Sequence, residues 1–296
     1  MTSSPFPRKI GYDLSGTILA LGPAVKNLKI GDEVFAIVPE RCRGSIAEYC
    51  LSTSSTTALK PKSLSFTEAA SLPCAGNAVV QAFERAEREM GESLKGKTVF
   101  VPAGLSGTGS LGVQVAKRVF GAGKVVTTLS PGKIGQIGKL VGEEVVDGMV
   151  DYTKGDVVGG VGRGEVDFMF DTVGCAVSAL GVMRKGGVIV SIGGLPSGKD
   201  MKADRPEIVT WLVWMLNLVD WFYKTWIGRK GVRYSYLVGK GNADVLERMA
   251  KWVEDGKLRP VVGRTAKLGD IEEVRKGCQQ IYDGKGGLGK FVIEVD

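Results

Sequence analysis

The chain has 296 residues, close to the upper size that one hydrophobic core serves, so two domains are expected. Its 44% hydrophobic and 24% charged residues are typical of a globular protein and exclude a disordered, collagen-like or coiled-coil chain. The formal charge is +7 and histidine is absent, which excludes imidazole zinc ligands and catalytic pairs that need a histidine base.

The predicted secondary structure changes along the chain, from mostly short strands to strands that alternate with helices. Residues 10–60 read as short strands and turns, and residues 67–90 as a helix. From residue 97 a strand, a glycine turn, a helix and a second strand follow in order, which predicts a βαβ unit and a parallel sheet, hence an α/β fold. The further predicted elements are strands at 98–101, 124–129, 166–171, 187–192 and 288–295 and helices at 109–120 and 242–256.

A glycine turn follows the strand at 98–101. Gly104, Gly107 and Gly109 permit a tight turn and a close approach of the backbone to a diphosphate, and Ser106 and Thr108 lie in the same turn. The N–H groups at the start of the following helix would face the anion. The pattern therefore predicts a dinucleotide site.

The end of the second strand of the βαβ unit distinguishes NAD from NADP. An NAD site wants a carboxylate there for the ribose hydroxyls. Directly after this strand the sequence has no acid but a hydroxyl and an ammonium, those of Ser130 and Lys133, which would attract a 2′-phosphate. The sequence therefore predicts NADPH rather than NADH.

Positive charge is concentrated between Ser93 and Val141, a window without Asp or Glu. It holds seven basic residues: Lys95, Lys97, Lys117, Arg118, Lys124, Lys133 and Lys139. The window has no arginine run, so a local anionic ligand explains it better than a nucleic acid does, and no nucleic-acid partner is predicted. The alternative explanation of these basic residues is that they lie on a solvent-exposed helix face without a ligand.

Four of the five tryptophans fall between Trp211 and Trp226, in an apolar segment that is predicted to be a helix from Pro206 to residue 227. Asn217, Asp220 and Lys224 argue against a membrane span. Three interpretations stay open: a helix that covers an apolar pocket, which we favour, peripheral membrane contact through residues 208–226, and an ordinary buried helix.

The five cysteines are odd in number, widely spaced and without a CxxC motif; they are Cys42, Cys50, Cys74, Cys175 and Cys278. This usage predicts reduced thiols and an intracellular, cytoplasmic protein. Residues 1–9 lack the apolar core of a secretory signal, so none is predicted.

Several motifs in this order resemble one family. They are Gly31-Asp-Glu-Val-Phe-Ala, Ala69-Ala-Ser-Leu-Pro-Cys-Ala-Gly, the glycine turn with Gln114-Val-Ala-Lys, Val150-Asp-Tyr-Thr, Phe170-Asp-Thr-Val-Gly and Gly256-Lys-Leu-Arg-Pro-Val. The chain resembles the medium-chain dehydrogenase/reductases, in the zinc-independent, fungal-type branch of quinone oxidoreductases and enoyl reductases, with a shortened N-terminal part. The resemblance implies a GroES-like domain split over residues 1–75 and 240–296 around a Rossmann domain at 76–239, with NADPH in the cleft between them.

The resemblance also implies roles for individual residues. Tyr152 would join Ser130 and Lys133 around the 2′-phosphate, and Gly107 and Gly109 would approach the diphosphate. The ribose and nicotinamide side would be formed by Asp171, Thr172, Val173 and Gly174, the carboxamide site by Tyr236 to Val238, and the adenine end by Gly289 and Lys290.

Three departures from the family pattern bear on the chemistry. Tyr12 stands where zinc enzymes of the family have a histidine ligand, and Cys74 stands at another ligand position, so no metal is predicted and Cys74 is expected to be a small buried residue. The chain begins late relative to the family pattern, which implies either a short chain with a more open site or a misassigned start. Asn77 and Ala78 follow Gly76, where a threonine is usual.

The predicted function is metal-free hydride transfer from NADPH to an enone or quinone, with a small apolar substrate. Tyr12 is the first candidate for the hydrogen-bond donor to the developing enolate, and Asn77 the second. The alternative is a family member that binds cofactor or ligand without redox turnover and serves a cyclisation or isomerisation. A homodimer through an edge strand near Tyr234 to Val238 is a further expectation.

Overall fold

The computed structural model describes residues 9–42, 44–204, 206–284 and 287–295. Its strands, in chain order, are β1 (Asp13–Thr17), β2 (Glu33–Ile37), β3 (Thr57–Leu59), β4 (Thr98–Val101), β5 (Lys124–Leu129), β6 (Gly148–Asp151), β7 (Val166–Asp171), β8 (Met183–Ser191), β9 (Arg233–Tyr236), β10 (Val262–Lys267) and β11 (Lys290–Glu294).

The helices are interspersed with the strands. In chain order they are α1 (Phe66–Ala70), α2 (Pro73–Met90), α3 (Gly109–Gln114), α4 (Pro131–Ile134), α5 (Ile137–Val141), α6 (Val157–Val161), α7 (Gly198–Asp204), α8 (Thr210–Gly228), α9 (Ala243–Glu254) and α10 (Ile271–Tyr282). Helix α3 continues into a wider π turn over Val115–Val119. The chain divides into two compact units, one of residues 1–77 with 240–296 and one of residues 78–239.

Residues 78–239 form a six-stranded sheet in the order β6-β5-β4-β7-β8-β9, in which every pairing is parallel. Strand β7 is buried along its whole length, and four of its six residues are apolar, the other two being the buried Asp167 and Asp171. Phe83 of α2 packs on this sheet, and its ring lies 5.0 Å from Phe168 and 5.9 Å from Phe170. The predicted α/β class with a Rossmann-type parallel sheet is confirmed.

The other unit is small and β-rich. Strands β1, β2 and β3 form an antiparallel sheet, and β10 and β11 form a parallel pair. Its helix α9 buries Leu246 and Met249 among its apolar residues. Ser65 caps α1 by accepting from the N–H of Glu68, whose carboxylate accepts in return from the N–H of Ser65. The predicted GroES-like region is confirmed.

The helix predicted over residues 67–90 is two helices. α1 ends at Ala70 and α2 begins at Pro73. Proline has no N–H to donate and disfavours helical geometry in the residue before it, so one helix cannot run through this position undisturbed. Pro73 then fits the first turn of α2, where its missing N–H has no intrahelical partner to lose.

The predicted helix start at Pro206 was wrong, because α8 begins at Thr210. Residues 206–208 instead belong to the connection between α7 and α8. The two helices pack closely: a Cβ on Gly198 would lie 2.0 Å from the carbonyl oxygen of Val213, and the N–H of Lys199 donates to Asn217 Oδ1 at 3.1 Å. The chain needs the connecting residues to reverse its direction for this packing.

Strand β9 lies at the edge of the six-stranded sheet, as expected for the segment near Tyr234. Pairing of two copies through this strand stays a prediction. Within the described ranges, no helix has the length and apolar character that crossing a lipid bilayer requires.

Candidate functional site

The glycine turn between β4 and α3 is a crowded piece of backbone. A Cβ on Gly104 would lie 2.2 Å from Thr127 Oγ1, and one on Gly109 would lie 2.1 Å from the carbonyl oxygen of Ala103. Ala103 itself has a φ of +54°. The turn therefore needs glycine at Gly104 and Gly109 for its own packing, whatever it binds.

Hydrogen bonds fix this turn at both ends. The N–H of Ala103 donates to Thr128 Oγ1 at 3.0 Å, and the N–H of Gly109 donates to Ser106 Oγ at 2.9 Å. The Ser106 hydroxyl thus satisfies the N–H of the first residue of α3 through its oxygen, whereas Thr108, the N-cap residue, makes no side-chain capping bond. Gly107 and Thr108 lie between these fixed points, directly before the first turn of α3, where helix N–H groups lack intrahelical acceptors.

Ser130, Lys133 and Tyr152 lie at one edge of the sheet. Leu129 of β5 and Asp151 of β6 are in register, so Ser130 and Tyr152 follow at the carboxyl ends of neighbouring parallel strands. Ser130 is the N-cap residue of α4, which contains Lys133, and Tyr152 is 53% exposed. The three residues that were predicted around a 2′-phosphate therefore lie at the carboxyl ends of two neighbouring strands, and their contact with a phosphate stays a prediction.

An acid that the sequence interpretation did not weigh lies at the same edge. The carboxylate of Asp151 accepts from the N–H of Thr153 at 3.0 Å and from its hydroxyl at 2.6 Å. The hydroxyl of Thr153 holds the pKa of Asp151 below its ordinary value, so this side chain is ionised at neutral pH. Its charge opposes an anionic ligand, although it is exposed to solvent and its hydrogen bonds turn it towards Thr153.

Most of the basic window is paired with acids from outside it. The ion pairs are Lys97–Glu92, Lys117–Asp147, Arg118–Glu144 and Lys124–Glu165. Neighbouring carboxylates balance the charge of these four cations, so the net positive charge of the window is not all directed at a ligand. Lys133, which lies in α4 directly after Ser130, is the basic residue of the window that was predicted at the 2′-phosphate, and that role stays a prediction.

Asp171 ends β7 and is fully buried. Its carboxylate accepts from the N–H groups of Gly174 at 2.8 Å and Cys175 at 2.9 Å and from the hydroxyl of Ser191 at 2.9 Å, with longer bonds from Val173 and Ala176. These bonds occupy the carboxylate, so any ligand contact at this turn would come from residues 172–174. The sequence prediction did not anticipate this supporting role.

Two further predicted segments lie at the carboxyl ends of the parallel strands. The hydroxyl of Thr172 donates to the carbonyl of Pro102 at 2.9 Å, which ties the turn after β7 to the turn after β4. Tyr236 of β9 is in register with Ser191 of β8 and accepts from Arg85 Nη1 at 3.0 Å through its carbonyl oxygen. Val238 follows and is 36% exposed.

The predicted residues of the β-rich unit do not share one environment. Tyr12 is 39% exposed, and its hydroxyl donates to Glu40 Oε2 at 2.5 Å. Asn77 is 1% exposed, and its side-chain amide donates to the carbonyl of Asn242 at 3.5 Å, which indicates a packing role. Asn77 is thus a weaker candidate than Tyr12 for contact with a substrate.

Lys290, which was predicted at the adenine end, lies in the β-rich unit and pairs with Asp13 at 2.9 Å. Burial lowers the pKa of Lys290, but the Asp13 carboxylate and its hydrogen bond raise it above the ordinary value. Both residues line a cavity of about 910 Å³ in this unit. The sequence interpretation missed Asp13, although it directly follows the Gly11-Tyr12 pair of the family motif.

Cys74 was expected to be buried, and this was wrong, because the residue is exposed near the start of α2. Its N–H donates to Asp13 Oδ1 at 2.6 Å. The atoms packed around the thiol and the Asp13 carboxylate raise the pKa of Cys74 to about 11. The five cysteines are free thiols. Among the described residues, no three Cys, Asp or Glu side chains gather as a metal site would require.

Comparisons with known proteins agree with this architecture. Residues 1–73 match the family of alcohol dehydrogenase GroES-like domains, and residues 140–276 match the family of zinc-binding dehydrogenases. The chain is 34% identical to an NADPH-dependent alkenal/one oxidoreductase, chloroplastic, of Arabidopsis thaliana over 88% of this chain and 58% of that protein. It is 33% identical to a 2-methylene-furan-3-one reductase of Solanum lycopersicum over 99% of this chain and 65% of that protein. The chain thus spans less than two thirds of either relative.

A solved structure has the same fold. The quinone oxidoreductase from Coxiella burnetii is 26% identical and superposes with a TM-score of 0.73 over 98% of this chain and 80% of that one. A parallel sheet with a glycine turn after its central strand, combined in one chain with a GroES-like unit, is the architecture found in Rossmann-type dehydrogenases and reductases. The chain belongs to the medium-chain dehydrogenase/reductase superfamily, in the branch of quinone oxidoreductases and enoyl reductases.

Proposed function

We propose that this chain is an NADPH-dependent reductase of carbon–carbon double bonds conjugated to a carbonyl group, including those of quinones. The two plant relatives are named for the reduction of alkenals, enones and a methylene-furanone, all of which contain this group. A small, apolar, electrophilic alkene is the substrate class that these names share.

The observation that carries the proposal is the register of β5 and β6. Ser130 and the exposed Tyr152 directly follow these two paired strands, and Lys133 follows Ser130 in α4, at the carboxyl end of the strand next to β4 and its glycine turn. A hydroxyl and an ammonium are groups that bind a phosphate monoester through charge-assisted hydrogen bonds. The donor set therefore fits NADPH, whose ribose carries such a phosphate, better than it fits NADH.

Reduction of such a substrate has two parts. When bound, NADPH supplies a hydride to the carbon β to the carbonyl. The C=C π electrons then shift to an enolate, which a proton must neutralise to give the saturated ketone or, for a quinone, the hydroquinone. The hydroxyl of Tyr12 is the proposed hydrogen-bond donor to the enolate oxygen, and it would have to leave Glu40 to act. The glycine turn, Ser130 and Lys133 bind and orient the cofactor.

The cofactor preference is tested with Lys133→Ala. We expect the dissociation constant for NADPH to rise about tenfold and that for NADH to stay unchanged, because the proposed partner of the ammonium is the 2′-phosphate, which NADH lacks. Both cofactors are titrated by fluorescence against the wild type and against Lys139→Ala, which removes an exposed lysine of α5. An equal loss for both cofactors, or a wild type that prefers NADH, would contradict the assignment.

Turnover is tested with Tyr12→Phe. Consumption of NADPH is followed by absorbance with a panel of alkenals, enones and quinones, and we expect kcat to fall about tenfold or more while the KM for NADPH is unchanged, because the lost hydroxyl acts on the enolate. Full activity in this variant would remove Tyr12 from the reaction. Binding of NADPH by the wild type without consumption, across the whole panel, would favour a ligand-binding protein instead.

A further inference from the structure

Helix α8 has an apolar face that is open to solvent. We call it the aromatic face, and it consists of Trp211, Trp214, Met215, Leu218, Trp221, Phe222 and Trp226. Their exposed fractions run from 47% for Met215 to 73% for Trp214. The three- and four-residue spacing sets them within an arc of about 140° on one side of the helix. Surface helices of globular proteins ordinarily present charged and polar residues on this side.

The opposite side of α8 is fixed against its own unit. Ile227 is fully buried, the rings of Tyr223 and Tyr234 are 5.9 Å apart, and Asn217 accepts from the backbone of α7. Asp220 forms an ion pair with Lys224 at 2.7 Å. The helix is therefore held in place by one side, and its aromatic face is presented outward by that packing.

The charges at the C-terminal end of the aromatic face have one sign, whereas an exposed acid, Glu207, precedes its N-terminal end. Arg229 continues the row of the face, seven residues after Phe222 and three after Trp226, and Lys230 follows it; both are exposed. Lys185 lies beside this end, because a Cβ on Gly231 would contact its side chain at 3.6 Å. Residues 208–243 contain five basic residues and one acid.

These features select the occupant of the face. Tryptophan and phenylalanine on one side of a helix, without a charge among them, suit the depth of lipid headgroups and upper acyl chains, and a basic end suits anionic headgroups. A second copy packed antiparallel on this face would bring Glu207 to the basic end, one acid against the three cations Lys185, Arg229 and Lys230, because Asp220 already pairs with Lys224. An anionic lipid surface complements both the apolar row and the charge.

We propose that α8 is a membrane-surface anchor: it lies parallel to the plane of a bilayer that contains anionic lipids, with the aromatic face inserted and Arg229 and Lys230 on the headgroups. The proposal does not depend on the reductase activity, because it concerns a surface of α8 and not the cofactor site. It would locate the protein at a membrane surface.

The test is flotation of the purified chain with phosphatidylcholine vesicles, with and without phosphatidylserine. We expect binding to the anionic vesicles, weaker binding on raising the salt from about 0.1 M to about 0.5 M, and a blue shift of the tryptophan emission, because four of the five tryptophans lie on α8. No binding to either kind of vesicle overturns the proposal.

Two sets of variants assign the binding to this face. Trp211→Ser with Trp214→Ser and Trp221→Ser, and separately Arg229→Glu with Lys230→Glu, are each expected to reduce the vesicle-bound fraction about tenfold. The matched controls are Tyr49→Ser with Leu51→Ser and Tyr282→Ser, and Lys139→Glu with Lys251→Glu, which change exposed residues elsewhere and are expected to bind like the wild type. Circular dichroism establishes that each variant is folded.

Two results would overturn the proposal even if the protein binds vesicles. One is an equal loss of binding in the control variants, which would indicate non-specific electrostatic or hydrophobic adsorption to the vesicles. The other is a wild type that is dimeric by light scattering and becomes monomeric in the tryptophan variant, with vesicle binding unchanged, which would assign the face to a second copy.

Discussion

Asp171 shows how a single buried side chain shapes the candidate site. Its carboxylate accepts hydrogen bonds from four consecutive backbone N–H groups, those of residues 173–176, and from Ser191. A carboxylate can satisfy so many donors because its two oxygens only accept. The turn after β7 is thereby held in one conformation before any ligand arrives.

We expect Asp171→Asn to lower the free energy of unfolding by about 3 kcal/mol, because an amide turns an N–H₂ group towards donors that the carboxylate accepted from. The measurement is chemical denaturation followed by circular dichroism. Asp156→Asn is the matched control: Asp156 caps α6 at an exposed position through the N–H of Gly159, and asparagine caps equally well. A loss in the control as large as that in Asp171→Asn would contradict this account.

At the scale of elements, the turn from β4 to α3 is limited by space. The Cβ that alanine would add at Gly109 meets the carbonyl oxygen of Ala103, a backbone atom that cannot move aside without moving β4. Gly132 in α4 has no heavy atom within 4 Å of such a Cβ. The two glycines lie after neighbouring strands but differ in this one property.

Gly109→Ala is therefore expected to destabilise the chain by about 2 kcal/mol or more and to weaken NADPH binding, because the clash shifts the start of α3. Gly132→Ala should be neutral or slightly stabilising, since alanine favours the helix. Thermal unfolding and cofactor titration measure both effects. Equal behaviour of the two variants would show that the turn tolerates a side chain.

The sequence predicted those parts of these elements that depend on local pattern. The buried strands at 98–101, 124–129 and 166–171 were bounded correctly, because short runs rich in valine, phenylalanine and threonine between turns have few alternatives. The start of α8 was misplaced, because Pro206 and Glu207 favour a helix start locally while the packing of α7 on α8 uses them in the connection. Tertiary packing overrode a local signal there.

At the scale of the whole molecule, pairs distant in sequence were beyond the sequence interpretation. The ion pair of Asp13 and Lys290 joins residues 277 positions apart. The hydrogen bonds that the Asp171 carboxylate accepts depend on the backbone conformation of the loop that follows β7. The basic window illustrates the same point: its excess charge was visible, but the acids that pair with Lys117 and Arg118 are placed beside them only by the fold. Residue types were predictable, whereas their partners were not.

The thiols have a consequence for a protein with the proposed substrates. Burial raises the pKa of Cys50, and desolvation together with a nearby carboxylate raises that of Cys74 to about 11 and that of Cys175 to about 12. Fewer than about one in 1,000 of the Cys74 and Cys175 side chains are thiolates at neutral pH. Because conjugated alkenes alkylate thiolates by addition, we expect Cys74 and Cys175 to react slowly with the electrophiles that are the proposed substrates.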